Sequence, residues 1–211
     1  MDARYQKQQF TLGVLLGFNL CLMFARIIVT HSVFYGFLIW NLLLAAFPFA
    51  ITTILLTNQK CRNSKFGLIV LSLLWLLVLP NAPYIITDFL HLRSTDEVPK
   101  WFDVLLLSTY AFSGLLFGFA SMLDMHKIWL DAYGEAKTKI LMFITCLLTA
   151  FGIYLGRFLR YNSWDVLSDL PNLIVHSFSL LHDFQAMTFT TLYGLFFYVF
   201  YHFFRNNLIN Q

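Results

Sequence analysis

Charge is scarce in this sequence. Asp, Glu, Lys and Arg make up 12% of the 211 residues, about half of what a soluble domain carries. A soluble globular domain and a disordered chain are both excluded, because each depends on charge to stay hydrated. Charge of one sign is lacking too. The net charge is +3, and the densest basic stretch is only Lys60, Arg62 and Lys65, which excludes a nucleic-acid-binding patch. The three cysteines, Cys21, Cys61 and Cys146, are odd in number and show no C-x-x-C spacing. That excludes a disulfide framework and a thiolate metal centre. Absent as well are a Gly-rich phosphate loop, a G-x-S-x-G elbow, a Ser-x-x-Lys motif and any internal repeat.

What is present is apolar. Hydrophobic residues make up 59% of the chain and aromatics 18%, with 24 phenylalanines. A membrane helix needs about 20 apolar residues to cross a core of about 30 Å. Six runs approach that length: 10–30, 33–57, 66–90, 103–123, 140–159 and 186–204. Strand alternation is missing, so helices must satisfy the backbone in lipid. The expected fold is therefore all-α, a polytopic membrane helix bundle forming a single domain over residues 1–211. The first run is too long for a signal h-region and reads as a retained span. The third is interrupted by Pro80-Asn81-Ala82-Pro83. A shorter amphipathic piece, 173–181, precedes the sixth, either as an interfacial or re-entrant helix or as an extension of that span.

Six spans place both termini on one side. Of the 14 Lys and Arg residues, nine fall there (Arg4, Lys7, Lys60, Arg62, Lys65, Lys127, Lys137, Lys139, Arg205) and five opposite. The positive-inside rule makes that side, and both termini, cytoplasmic. On this topology Asp124, His126 and Lys127 read as solvated loop residues.

The outward side collects the unusual residues. In the third span, Pro80 and Pro83 each withhold a backbone donor. Beyond them, α-helical spacing puts Asn81, Tyr84, Asp88 and His91 on one stripe. Asp88 and His91, three apart, read either as a carboxylate–imidazole pair for proton transfer or metal binding, or as the polar stripe of a kinked span. Arg157 and Arg160 leave the fifth span together. They read as snorkelling anchors, as partners for Asp88, Asp103 or Asp165, or as a fork for an anion. Asn162, Trp164 and Asp165 follow, with Asn162 or Ser163 as a helix cap and Trp164 in the interfacial belt. Arg26 near the outer end of span one either snorkels or pairs with an outer Asp. Asn41 in span two is helix–helix glue, and Asp103 suits the start of span four. Gly152 and Gly156 let another helix approach closely. His176, His182 and Asp183 join Asp88 and His91 as ligands for a divalent metal only without any zinc spacing, so no cofactor is expected.

Several of these strings coincide with a known pattern: Ile39-Trp40-Asn41-Leu42-Leu43-Leu44-Ala45, Leu79-Pro80-Asn81-Ala82-Pro83-Tyr84 with Thr87-Asp88 and His91-Leu92, Trp101-Phe102-Asp103, and Gly156-Arg157-Phe158 with Asn162-Ser163-Trp164-Asp165. Over most of its length the chain resembles the bacterial polytopic membrane proteins grouped as domain of unknown function 1361. The resemblance implies a multi-pass protein of a bacterial cytoplasmic membrane and supplies no activity.

The expectation is an outward-side site for an anionic lipid or envelope intermediate. Arg157, Arg160 and Arg26 would hold the anion, Asn81, Tyr84, Asp103, Asn162, Trp164 and Asp165 would line the site, and Asp88 and His91 would act as base and orienter. Two alternatives stand beside it. One is a structural or assembly partner with an internal Arg–Asp network. The other is a small transporter or channel using carbonyls freed at the proline break. Membrane lipids are the expected partners, with room for self-association or a membrane-protein partner, and nucleic acid is not expected.

Overall fold

The computed structural model describes residues 3–92, 98–161, 170–180 and 182–209, and among these every regular element is a helix. The order is α1 (Ala3–Thr30), α2 (Phe37–Thr57), α3 (Gln59–Asn63), α4 (Lys65–Val78), α5 (Asn81–Tyr84), α6 (Lys100–Tyr133), α7 (Glu135–Phe158), α8 (Leu170–Leu180) and α9 (Phe184–Ile209). Short 3₁₀ segments occupy Phe34–Gly36 and Ile85–His91. Among the described residues, five segments are long and apolar enough to cross a membrane: Gln6–Thr30, Phe34–Thr57, Lys65–His91, Lys100–Tyr133 and Glu135–Phe158. The 26-residue α9 is not among them, since Thr, Tyr, Gln and His dilute its hydropathy. Bulky apolar side chains lie open on these helices, including Phe10 at 73% exposure and Phe66 at 79%. Water would not tolerate such a surface, whereas lipid would.

Local chemistry sets the element boundaries. Asn58 caps α3 by accepting from the amides of Lys60 and Cys61, so the basic loop between the second and third apolar runs is itself a helical turn. Ser64 caps α4 by accepting from Gly67. Pro80 has no amide to give the carbonyl of Leu76, and α4 stops at Val78. A helix restarts at Asn81 with Pro83 in its first turn, where a missing donor costs little. Asp183 caps α9, its Oδ1 accepting from the amide of Ala186 at 2.7 Å.

Two expectations are corrected here. Residues 85–91 form a 3₁₀ helix, not a continued α-helix. At three residues per turn, Ile85, Asp88 and His91 stack along one edge, and Ile85 and Asp88 are both buried. The polar stripe therefore shares its edge with an apolar side chain that α-spacing placed on the other face. Asp124, His126 and Lys127, expected as solvated loop residues at a helix end, lie within α6, which continues to Tyr133. At 34 residues α6 is about 50 Å long, well beyond a hydrocarbon core. Gly134 alone turns the chain into α7, with a φ of 81° that suits glycine. Asp124 and His126 are buried at 3% and 5% exposure, and only Lys127 is open.

The chain divides into two compact units: Met1–Ala46 with Asn81–Gly118, and Phe47–Pro80 with Phe119–Gln211. In the first, α6 receives the Asn81–Tyr84 turn at two glycines four apart. A Cβ on Gly114 would meet the Ala82 carbonyl oxygen at 2.5 Å, and one on Gly118 the Ala82 Cβ at 3.2 Å. Deeper in the same unit, Asn19 of α1 donates to Ser113 at 2.7 Å, and Tyr110 donates to the Asn19 carbonyl at 3.2 Å. In the second unit, α7 carries Gly152 against the Pro80 ring, which a Cβ would meet at 2.6 Å. Gly194 of α9 lies equally close to Leu147. Trp75 and Trp129 meet edge to face, their indole nitrogens donating to Ser121 and Ser72.

Because a backbone oxygen cannot step aside as a side chain can, Gly114→Ala should cost about 1–3 kcal/mol of stability. Thermal unfolding in detergent checks this. The same change at Gly13, where nothing lies within 4 Å, should leave the transition in place.

Candidate functional site

The polar residues of the first unit converge where α1 ends, α2 begins and α6 begins. Arg26 lies one turn before the end of α1. Its Nε donates to Asp103 Oδ1 at 2.8 Å and its Nη2 faces Oδ2 at 3.4 Å. Its Nη1 faces the Thr30 hydroxyl at 3.4 Å. Arg26 and Asp103 are exposed to only 3% and 1%. The guanidinium carbon stands 4.4 Å from the centre of the fully buried Tyr35 ring, within range of a cation–π interaction. The Tyr35 hydroxyl donates to the carbonyl of His91 at 3.3 Å. Asn41 of α2 donates to Asp88 Oδ2 at 2.8 Å, and Asp88 is 1% exposed. The His91 ring packs against Phe37, and the residue is exposed.

Charge, ring, hydroxyl and amide thus tie α1, the start of α2, the Ile85–His91 segment and α6 together. Each buried charge needs this. An isolated ion taken from water costs several kcal/mol, and its partner must recover most of it. Side-on pairing of a guanidinium with a carboxylate uses two parallel contacts and holds both groups in one orientation.

The remaining candidates fall elsewhere. Asn81 and Tyr84 belong to α5 in the first unit. Arg157 and Arg160 belong to the second unit, at the end of α7. There Tyr161 donates its amide to the Leu155 carbonyl at 3.2 Å, closing the helix around Arg160 with φ 62°. This is the left-handed capping position that glycine favours. Arg160 is exposed and Arg157 half-buried. The Tyr161 hydroxyl meets His176 Nδ1 of α8 at 2.7 Å. Asn162, Trp164 and Asp165 lie outside the described residues. Among the described residues no three His, Cys, Asp or Glu side chains gather as a metal set.

Three features escaped the sequence. Asn19 sits in an unbroken apolar run, where a single amide carries little weight. Tyr35 looked like one aromatic among many. Asp124 and His126 read as loop residues, yet both are buried, and Asp124 Oδ2 has no hydrogen-bond partner among the described residues. A polar residue that continues helical spacing past an apolar run was the available signal.

A family model described as protein of unknown function (DUF1361) matches residues 40–200. The chain belongs to that family. The matched region contains Asn41, Asp88, Asp103, Arg157 and Arg160, while Arg26 and Tyr35 precede it. No curated protein and no solved structure matches the chain. The family and its apolar helices together make this a membrane protein of unknown activity.

Removing one member of a buried pair strands the other. Arg26→Met and Asp103→Leu should each cost about 3–5 kcal/mol, whereas the double variant should recover most of the loss. A double-mutant cycle read by thermal unfolding in detergent checks this. Additive losses would show that the two side chains do not interact.

Proposed function

We propose that the chain is a six-span protein of a bacterial cytoplasmic membrane that serves as a structural or assembly partner in the envelope. The observation that carries this reading is the closed Arg26–Asp103 pair. It commits the Arg26 guanidinium internally, where an anion site would need it open. Asp88, buried against Asn41, fits the same role as an internal tie. On this reading α9 counts as the sixth span, the third is broken at Pro80-Asn81-Ala82-Pro83, and both termini face the cytoplasm.

A second reading retains an anionic lipid or envelope intermediate, held by Arg157 and Arg160. The exposure of Arg160 and its place at a cap that glycine would fill at lower cost favour it. An L-residue in that backbone state gives up about 1 kcal/mol.

The two readings separate experimentally. If the polar cluster is structural, Asp88→Ala should lower the yield of folded, monodisperse protein, and Arg157→Gln with Arg160→Gln should change neither yield nor co-purified lipid. If Arg157 and Arg160 form a ligand site, the double variant should lose a bound anion while Asp88→Ala folds normally. Topology is checked at Cys61 in α3. A membrane-impermeant maleimide should label it only after cells are permeabilised, and labelling of intact cells would reverse the orientation.

A further inference from the structure

At the opposite end of α7 from Arg157, about 33 Å away along the helix, the second unit carries an arrangement that neither reading uses. His126 of α6 and Tyr201 and Arg205 of α9 lie together. The Tyr201 hydroxyl shares a hydrogen bond with His126 Nδ1 at 2.6 Å, which holds the Tyr201 ring in one orientation. Tyr201 and His126 are buried, whereas Arg205 is half-exposed. The guanidinium also stands 6.0 Å from the Tyr201 ring centre.

Arg205 is thus held in place, but not by an acid. Among the described residues it has no carboxylate partner. Its remaining side-chain contact is with Asn206 at 3.5 Å. His202 and Lys139 lie near enough for Arg205 and Lys139 to act electrostatically on His202. Among the described residues the acidic group that acts on this cluster is Glu135, and Lys139 engages it at 2.6 Å. Beneath the cations runs an aromatic ladder: His202 edge to face with Tyr198, and Tyr198 edge to face with Phe143 of α7. Ile140, Val199 and Phe203 flank it and are open at 61%, 62% and 61%.

We propose that this end of the second unit binds an anionic phospholipid. Arg205 receives the phosphate, His202 and Lys139 flank it, and the Phe143–Tyr198 wall seats the upper acyl chain. A cationic cap above an apolar, aromatic wall is the chemistry that such a headgroup and chain present together. Unspecific surface charge does not need an arginine positioned by a buried tyrosine. Here the Tyr201–His126 bond fixes the ring that the Arg205 guanidinium faces.

The test is native mass spectrometry of the full chain in detergent, titrated with phosphatidylglycerol or phosphatidylcholine of the same acyl chains. Wild type should retain phosphatidylglycerol about fivefold more than phosphatidylcholine, the factor expected from one positioned cation. Arg205→Gln should abolish the preference. Tyr201→Phe, which leaves every charge in place but frees the ring facing Arg205 from His126, should reduce it. Arg160→Gln, at the other end of α7, should not alter it. Equal retention of the two lipids by wild type would overturn the proposal, even if Arg205→Gln fails to fold. So would a preference unchanged in Tyr201→Phe, which would mark mere surface charge, or one lost only in Arg160→Gln, which would move the lipid to the Arg157–Arg160 end.

Discussion

The desolvated contact between Arg26 and Asp103 organises the polar end of the first unit. Two opposite charges at 3% and 1% exposure hold together only while each has the other. Coulomb attraction is strong where water is excluded, and an unpaired buried ion is equally costly. Tyr35 lies under the guanidinium and passes the constraint to the His91 carbonyl. Asn41 fixes Asp88 on the same segment. In lipid such groups have no solvent to fall back on, so partner geometry decides where the helix ends meet.

The second unit follows a different rule. Its helices meet through small residues and indoles. Gly152 admits Pro80, Gly194 admits Leu147, and two tryptophans share an edge-to-face contact with serine acceptors at their nitrogens. Close backbone approach replaces charge here, as expected where lipid offers no hydrophobic drive between helices. Four of its cations, Arg205 and Lys139 at one end of α7 and Arg157 and Arg160 at the other, lie at helix ends. There a cation can reach water, headgroups or a phosphate.

Much of the fold was legible in the sequence because hydropathy acts locally. Runs of apolar residues marked the long helices, and prolines marked where α4 stops. The site was legible as residues but not as pairs. Arg26, Asp103, Asn41 and Asp88 each stood out as polar groups in apolar surroundings. That Arg26 meets Asp103, 77 positions away, depends on packing that no local pattern encodes. The 3₁₀ course of residues 85–91 was missed because a pair three residues apart, such as Asp88 and His91, suits either helix type. Asp124 and His126 were misplaced for a related reason. Falling hydropathy resembles a loop, although α6 runs on and is buried by protein rather than lipid. Asn162, Trp164 and Asp165 lie outside the described residues, and their part in the polar cluster stays an expectation.

What the Arg26 guanidinium faces decides how this end of the first unit is held. Solid-state NMR on the chain in phospholipid bilayers, with ¹⁵N-labelled arginine and ¹³C-labelled aspartate, reads this directly, and Arg26→Lys assigns the signal. A closed pair gives a strong ¹⁵N–¹³C coupling from the 2.8 Å contact of Arg26 Nε with Asp103, lost in Asp103→Asn. An Arg26 signal coupled to lipid ³¹P and indifferent to Asp103 would contradict it and return Arg26 to an anion site.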